Sequence, residues 1–216
     1  MRKIHRIGKY EVEEFDSNIY LLKNVIDEVF CDDLRKIIDN VELEYGDWRP
    51  HNNLKAYSRR WENENLNNVS DEIKMKYVKY REIFYKIYMK VILFIYGEVS
   101  NSPSVKNSIP KHCGWALKKI VGKTRMHIDG TVPTKGEVRC LTCIIGLNSN
   151  YENGMWTFPE KGVDLYVKKG DVLLFPPYWT HRHTVEEPLK NPRYTLSTWF
   201  LESDSPKGYV IDVDDK

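Results

Sequence analysis

The sequence has no long apolar run and no apolar N-terminal leader. No stretch approaches the roughly 20 consecutive apolar residues of a membrane-spanning helix, and the longest apolar segment, around 91–96, is far too short. The first residues lack the apolar stretch of a secretory signal peptide. We therefore expect a cytoplasmic protein that does not associate with membranes.

The net charge is small and cysteines are few. A formal net charge of +2 provides no basic excess of the kind that binds nucleic acids or anionic membranes, so neither is an expected partner. Four cysteines are too few for a disulfide scaffold and fit a reducing compartment. Cys140 and Cys143 form a Cys-x-x-Cys pair inside an apolar run typical of a strand. Because their odd separation would point the thiols to opposite faces, we interpret both as structural rather than as a zinc or redox pair.

The first half of the chain carries helical patterns. A helix is predicted over 24–40, where apolar residues recur at steps of three and four, and a second over 70–97, which begins at a serine N-cap and ends at a glycine. Residues 1–23 are predicted to form an extended lead-in with an edge strand at 18–23. The polar, Asn-rich residues 45–69 are predicted to form a long loop.

The pattern changes to short strands from Gly114 onward, after a Ser/Asn/Pro-rich join over 98–113. About eight strands at regular spacing are typical of a sandwich or double-sheet jelly roll, and helices followed by strands indicate an α+β fold. The predicted strands are 115–121, 125–128, 138–147, 155–158, 163–167, 171–175, 183–186 and 193–201.

Residues 126–130 read Met-His-Ile-Asp-Gly and contain the pair His127 and Asp129. Both side chains can point inward where a strand runs into a turn, and Gly130 lets the chain bend immediately afterwards. Two histidines and one carboxylate on one face of an octahedron are the ligand set of a non-haem Fe(II) oxygenase, because they leave three positions open. A third ligand must then come from a distant strand.

Two histidines lie in the right region, His181 and His183. Both would face the same side of an extended segment, so alternation leaves the choice open. The position of Arg193 favours His183. Two antiparallel strands joined at 190–192 would place Arg193 deeper in the same barrel, where a guanidinium can bind a carboxylate through two hydrogen bonds. Thr195 would add a hydroxyl on the same face, and His181 is expected at the rim.

Three segments, 24–34, 147–159 and 170–177, resemble iron(II)- and 2-oxoglutarate-dependent oxygenases of the prolyl 4-hydroxylase-like branch, including its short virus-encoded members. They are similar to the opening of that branch's N-terminal helix, to its glycine turn with the following strand, and to the strand that leads to the distal histidine.

The resemblance implies an α+β double-stranded β-helix, a jelly roll of about eight core strands braced by N-terminal helices. It implies one oxygenase domain over 1–216. We expect helical support over about 24–97, a jelly-roll core over about 114–201 and a loosely attached acidic tail over 202–216.

The resemblance also implies Fe(II), 2-oxoglutarate as co-substrate and O₂, with ascorbate left open as a further requirement. It implies three catalytic iron ligands and a co-substrate pocket beside them. The ligands are His127, Asp129 and His183, and the pocket residues are Arg193, Thr142 and Trp199, beside which Thr195 is placed by its spacing from Arg193.

Some positions depart from the branch. Many prolyl hydroxylases have lysine where this chain has Arg193, which performs the same anchoring. A tyrosine usually precedes the His-x-Asp pair by about nine residues, where this chain has Lys118 or Lys119. Gly146 stands where the strand before the glycine turn usually has tyrosine, and 153–155 read Asn-Gly-Met instead of Gly-Gly-Glu. Iron and 2-oxoglutarate are therefore better supported than any one substrate.

The expected reaction is hydroxylation of an unactivated C–H bond in a peptidyl proline or another peptide side chain. The alternatives are a small molecule or free amino acid as substrate, and a cupin-like jelly roll that holds metal without turnover. Arg193 and Thr195 argue against the last, since a bare metal binder needs no carboxylate anchor.

Three residues are candidate substrate contacts: Arg125, His181 and Trp179. A structural salt bridge is an equal alternative for Arg125. The abundance of Lys, Asn, Ile and Tyr is typical of an AT-rich source, so a virus-encoded protein of the host cytoplasm is also an expectation.

Overall fold

The computed structural model describes residues 2–15, 18–40, 44–45, 56–60, 71, 111–130, 136–202 and 209–210. The elements with described bounds are β1 Lys3–Ile7, β2 Tyr10–Phe15, β3 Ile19–Lys23, α1 Glu28–Asn40, β4 Glu44–Tyr45, β5 Ala56–Arg60, β6 Lys111–His112, β7 Ala116–Ile120, β8 Thr124–His127, β9 Arg139–Gly146, β10 Glu152–Asn153, β11 Trp156–Phe158, β12 Val163–Leu165, β13 Val172–Phe175, β14 His183–Val185, β15 Pro188–Leu189, β16 Arg193–Leu201 and β17 Tyr209–Val210. Short 3₁₀ turns cover Pro159–Lys161 and Trp179–His181.

Two antiparallel sheets form the core of the molecule. The larger sheet contains the order β13-β9-β16-β7, and the smaller one has the order β12-β11-β14-β8. This is the double-stranded β-helix that the sequence predicts, and each of the eight predicted strands is present within two residues of its expected bounds. The described segments contain no helix that is both long and apolar enough to cross a membrane.

Alternation along the larger sheet separates two apolar layers. In β9, Leu141, Cys143 and Ile145 face a cluster that includes α1, whereas Ile144 faces the cluster between the two sheets. Thr142 is fully buried and has the same parity as Ile144. The interior between the sheets is therefore lined by every second residue of β9 and β16, and this parity positions the site.

The single helix with described bounds, α1, covers the outer face of the larger sheet. Asp27 caps it, since its carboxylate accepts the backbone N–H of Val29 at 2.8 Å. The apolar stripe buries Phe30, Leu34 and Ile38 against the sheet, as the sequence predicts.

The turn before β13 fixes the start of α1. The buried carboxylate of Asp171 accepts hydrogen bonds from the backbone N–H of Asn24 at 3.0 Å and from the Lys23 ammonium at 3.2 Å. The carbonyl of Gly170 accepts the N–H groups of Val25 and Ile26. These contacts connect the helix entry to the larger sheet.

Two N-terminal predictions are wrong in detail. Strand β3 is not an edge strand, because it pairs with β2 on one side and β13 on the other. Residues 45–69 are not one loop, because β5 lies within them and pairs with both β4 and β7. The hairpin of β2 and β3 and the hairpin of β4 and β5 both extend the larger sheet through backbone hydrogen bonds. Such pairing needs no long apolar pattern in the sequence.

The predicted hairpin between β14 and β16 is also wrong. Strand β14 pairs with β11 and β8 in the smaller sheet, whereas β16 pairs with β9 and β7 in the larger one. The connection between them forms β15, which pairs with β10. The chain therefore leaves the smaller sheet before the turn at 190–192 and enters the larger sheet after it.

The tail is more closely attached than expected. Strand β17, inside the predicted loose tail over 202–216, pairs with β6, so its backbone is held at the edge of the sheet. The predicted helix over 70–97 lies outside the described residues apart from Asp71, and most of the join over 98–113 lies outside them as well.

Candidate metal centre

The smaller sheet brings His127, Asp129 and His183 together. His127 ends β8 and His183 begins β14, and the two are direct partners in the antiparallel ladder. Asp129 follows in the turn, where the N–H of Gly130 donates to the Pro177 carbonyl at 2.7 Å. One ligand atom from each of the three side chains lies within 4.8 Å of the others, so the set could hold a metal ion.

Hydrogen bonds that the rings donate to backbone carbonyls orient both imidazoles. Nδ1 of His127 lies 2.8 Å from the Arg125 carbonyl, and Nδ1 of His183 lies 3.1 Å from the His181 carbonyl. A carbonyl can only accept, so each ring places its proton on Nδ1 and leaves Nε2 for a metal. The His183 ring is further enclosed by Trp156, which stacks on it with 5.5 Å between ring centroids.

The Asp129 carboxylate is buried and held in place. Its Oδ2 accepts the hydroxyl of Thr142 at 2.9 Å, and its backbone carbonyl accepts Nη1 of Arg139 at 2.9 Å. Thr142, expected to contact co-substrate, thus contacts a predicted iron ligand in the structure. Such neighbours fix the ligand geometry of metal sites.

Burial and the charge interactions among the three side chains determine the protonation states of Asp129 and His183. Burial by itself would raise the pKa of Asp129, but the contact with His127 and the charge interaction with both imidazoles hold that pKa well below its usual value. Burial lowers the pKa of His183 to about 4, against the opposing effect of Asp129. At neutral pH the carboxylate is ionised and His183 is neutral, which are the forms that bind a divalent metal.

Arg193 lies on the opposite sheet with its guanidinium between the two sheets. Its side chain is 2% exposed and its Nη1 makes one long contact of 3.5 Å to the Gly154 carbonyl, while its Nε has no hydrogen-bond partner among the described residues. The guanidinium carbon lies 5.8 Å from the centre of the Trp156 ring, on which His183 also stacks. Burial lowers the pKa of Arg193 to about 10, so it remains charged at neutral pH.

The inward face of β16 continues this polar lining. Thr195, Ser197 and Trp199 alternate with outward residues after Arg193, and all are buried. Within the part of the chain that the structure describes, Ser197 Oγ and Trp199 Nε1 have no hydrogen-bond partner. Buried donors without partners are costly, so this lining fits a ligand rich in oxygen acceptors. The donors near Arg193 fit a carboxylate of 2-oxoglutarate, and the His-Asp-His set fits Fe(II).

Of the three predicted substrate contacts, two are exposed at the surface and one is buried. Arg125 and Trp179 are exposed beside the metal centre, with 75% of Trp179 accessible. His181 does not lie at the rim as expected: it is 5% exposed in the 3₁₀ turn before β14, and its carbonyl orients His183. The turn takes His181 out of the extended geometry assumed from the sequence.

Sequence reasoning missed Trp156 and Arg139 and left Lys118 or Lys119 undecided. The guanidinium of Arg139 lies 4.0 Å from the centre of the Trp199 ring, and Nζ of Lys118 lies 4.9 Å from it. Lys119 instead donates to Asp39 of α1 on the outer face. The inward parity of β11 and β7 is the signal that could have found Trp156 and Lys118.

Comparisons with known proteins agree with this geometry. Residues 117–201 match the family model described as the 2OG-Fe(II) oxygenase superfamily. No curated protein sequence matches the chain.

The fold is similar to solved prolyl hydroxylases. A viral collagen prolyl hydroxylase from Paramecium bursaria Chlorella virus 1, solved with 2OG, has a TM-score of 0.56 and 15% identity over 86% of this chain and 96% of that one. A Trichoplax adhaerens prolyl hydroxylase, solved with a hypoxia inducible factor peptide, has a TM-score of 0.63 and 13% identity over 88% and 86%. A Pseudomonas putida prolyl-4-hydroxylase has a TM-score of 0.54 and 12% identity over 86% and 93%.

These similarities agree with the donor set, the buried arginine and the two-sheet core. Residues 117–201 match the 2OG-Fe(II) oxygenase superfamily, the chain has the fold of prolyl 4-hydroxylases, and together with the His-Asp-His set these findings support a 2-oxoglutarate- and Fe(II)-dependent dioxygenase.

Proposed function

We propose that this dioxygenase hydroxylates an unactivated C–H bond in a peptide, with a peptidyl proline as the first candidate. His127, Asp129 and His183 hold Fe(II) in this proposal. Arg193 and Thr195 bind the far carboxylate of 2-oxoglutarate. The whole chain, 1–216, acts as one oxygenase domain.

One observation carries the proposal: buried Arg193, which has no carboxylate partner in the parts of the chain that the structure describes, faces the same interior as the His-Asp-His set. Burying a guanidinium without a partner is expensive, so a position of this kind is expected where a ligand supplies the missing charge. Because Trp156 contacts both His183 and Arg193, a short dicarboxylate can reach from the metal ligands to the guanidinium.

The residues of the chain hold and orient the reactants. Nε2 of both histidines and the carboxylate of Asp129 present one face of ligands, with Thr142 fixing the carboxylate. Phe158, Phe175 and Trp156 surround His183 and exclude water from that side. When bound, Fe(II) supplies the activation of O₂, which is coupled to the conversion of 2-oxoglutarate to succinate and CO₂ and places the second oxygen atom in the substrate as a hydroxyl.

The rim of the site supports a peptide as substrate. Met126 and Ile128 flank His127 and are 45% and 42% exposed, and Tyr178 and Trp179 are exposed across the Gly130–Pro177 contact. Exposed apolar side chains beside a polar centre are typical of a surface that binds a partner. The Trichoplax structure with the same fold holds a peptide, which supports the same class of substrate here.

The test is mass spectrometry of a proline-rich peptide incubated with enzyme, Fe(II), 2-oxoglutarate, ascorbate and air. The proposal predicts a gain of one oxygen atom on proline, together with stimulated succinate formation. Asp129→Ala serves as the matched inactive variant. A free amino acid that stimulates succinate formation while no peptide does would instead favour the small-molecule substrate.

A further inference from the structure

The guanidinium of Arg193 takes its position mainly from the main chain that carries it. Its side chain is buried, Nη1 makes one long contact of 3.5 Å to the Gly154 carbonyl, and Nε has no hydrogen-bond partner among the described residues. The centre of the Trp156 ring lies 5.8 Å from the guanidinium carbon. Because these contacts are weakly directional, the backbone at 192–194 determines how far the charge lies from the metal ligands.

The ladder between β16 and β9 ends before it reaches Arg193. The last pair of that ladder joins Thr195 to Gly146, which is the final residue of β9. On its other side, Arg193 is the direct partner of Ile120 in β7. The peptide groups that flank the arginine on the β9 side therefore need partners of another kind, since buried backbone groups are almost always hydrogen-bonded.

The side chain of Asn148, two residues after the end of β9, supplies those partners. Its Oδ1 accepts the backbone N–H of Tyr194 at 2.8 Å, and its Nδ2 donates to the backbone carbonyl of Pro192 at 2.9 Å. Nδ2 also donates to Oδ1 of Asn150 at 2.7 Å. Asn148 is 3% exposed, and next to it the N–H of Leu147 donates to the Tyr194 carbonyl at 3.0 Å. One buried amide thus bridges the carbonyl before the arginine and the N–H after it.

The chemistry of these two backbone groups specifies an amide at position 148. A backbone N–H can only donate and a carbonyl can only accept, so the two partners fix the orientation of the Asn148 side chain. An ionised aspartate would place an acceptor against the Pro192 carbonyl. An apolar residue would leave two buried backbone groups without partners, which is costly. Asparagine at this position therefore does more than fill space.

We propose that Asn148 is a positioning residue for Arg193, which fixes the distance between the guanidinium and the metal ligands and thereby selects the length of the oxo diacid. This inference rests on the proposed function, in which Arg193 binds the far carboxylate of 2-oxoglutarate. Two parallel hydrogen bonds from a guanidinium to a carboxylate need a defined geometry, so a displaced Arg193 backbone lowers affinity for the diacid of the correct length.

The experiment titrates three oxo acids into enzyme loaded with Fe(II) without air and follows the visible metal-to-ligand band. The acids are 2-oxoglutarate, 2-oxobutyrate, which lacks the far carboxylate, and 2-oxoadipate, which is one carbon longer. Wild type is compared with Asn148→Ala and with Asn148→Ser, whose hydroxyl is too short to bridge both backbone groups. Asn191→Ala is the matched control, because that exposed amide bonds the Asn150 carbonyl at 2.7 Å in the same loop.

The proposal predicts that both Asn148 variants bind 2-oxoglutarate about tenfold more weakly, as is usual when a neighbour that orients a binding group is lost. Fe(II) and 2-oxobutyrate should bind with unchanged affinity, and the preference for 2-oxoglutarate over 2-oxoadipate should fall. Equal losses for 2-oxoglutarate and 2-oxobutyrate would overturn the proposal, because they indicate a general disturbance of the pocket. So would an unchanged Kd for 2-oxoglutarate, or the same loss in Asn191→Ala.

A double-mutant cycle tests whether Asn148 acts through Arg193. In Arg193→Met, the further change Asn148→Ala should not weaken 2-oxoglutarate again, because the group that it positions is already gone. Additive losses would contradict the proposal. If Arg193→Met itself weakens 2-oxoglutarate and 2-oxobutyrate equally, the role of Arg193 in the proposed function fails, which keeps the two failures distinct.

Discussion

At the scale of single residues, co-substrate binding depends on Arg193. We predict that Arg193→Met weakens 2-oxoglutarate at least about thirtyfold, because losing one partner of a buried charge pair costs about 2–5 kcal/mol. A titration of the metal-to-ligand band without air measures this. 2-Oxobutyrate, which lacks the far carboxylate, should bind both proteins with similar affinity. An equal loss for both oxo acids would show that Arg193 does not bind that carboxylate.

Thr142 acts through Asp129, to which it donates a hydrogen bond of 2.9 Å. We predict that Thr142→Val lowers Fe(II) affinity on the order of tenfold, as is usual when a neighbour that orients a metal ligand is lost. Thr142→Ser should restore the affinity. Thr198→Val is the matched control, because that hydroxyl donates to the Gly114 carbonyl. An unchanged Fe(II) Kd in Thr142→Val would contradict this role.

At the scale of elements, Gly170 fixes the entry to α1 on the sheet. Its φ is +81°, and a Cβ at this position would lie 2.6 Å from the Ile26 carbonyl oxygen. We predict that Gly170→Ala costs about 2 kcal/mol or more of unfolding free energy, more than the roughly 1 kcal/mol of a left-handed alanine alone. Urea unfolding measures the total loss of unfolding free energy, which contains the clash with the Ile26 carbonyl and the cost of a left-handed alanine.

Gly162 is the control for that substitution. Its φ is +60°, and nothing lies within 4 Å of an added Cβ, so Gly162→Ala isolates the backbone cost. Equal destabilisation by the two alanines would contradict the contact between the Gly170 turn and the helix entry.

The elements also show how far the sequence predicts the structure. Strands such as β9 and β16 are predictable because each is a short run rich in apolar, β-branched and aromatic residues, which favours a buried strand over a helix. The hairpin of β4 and β5 consists of short polar segments, and backbone pairing of β5 with β7 attaches it to the sheet. Because backbone pairing leaves no side-chain pattern, the sequence does not predict this hairpin. The assumed β14–β16 hairpin is wrong because the chain leaves the smaller sheet after β14, and β15 then pairs with β10. In the sequence, Pro188 and Leu189 show no strand pattern and indicate only a connection.

The candidate site was predictable where chemistry restricts residue type. His127, Asp129, His183 and Arg193 combine metal-binding and carboxylate-binding side chains at positions that the fold brings to one interior. Lys118 was undecided because its neighbour Lys119 is chemically identical. Only the register of β7 against β16 shows which of the two faces inward.

At the scale of the whole molecule, the described interior carries the Arg193 guanidinium and buried donors that have no partner among the described residues, and ligands are expected to stabilise them. We predict that Mn(II) with 2-oxoglutarate raises Tm by about 5–10 °C, since ligand at 100 times its Kd adds about 2.7 kcal/mol and each kcal/mol shifts a chain of this size by about 2–4 °C. Differential scanning calorimetry measures this. The shift should be much smaller in Arg193→Met, and an equal shift in that variant would contradict the account.

The central claim is that His127, Asp129 and His183 hold a catalytic iron next to a bound 2-oxoglutarate. The most direct measurement is succinate formation from 2-oxoglutarate with Fe(II), ascorbate and air, for wild type and His183→Ala. The account predicts steady succinate formation by wild type that disappears in His183→Ala while the fold, followed by circular dichroism, is retained. Equal succinate formation by the two proteins, or none by a correctly folded wild type loaded with Fe(II), would contradict it.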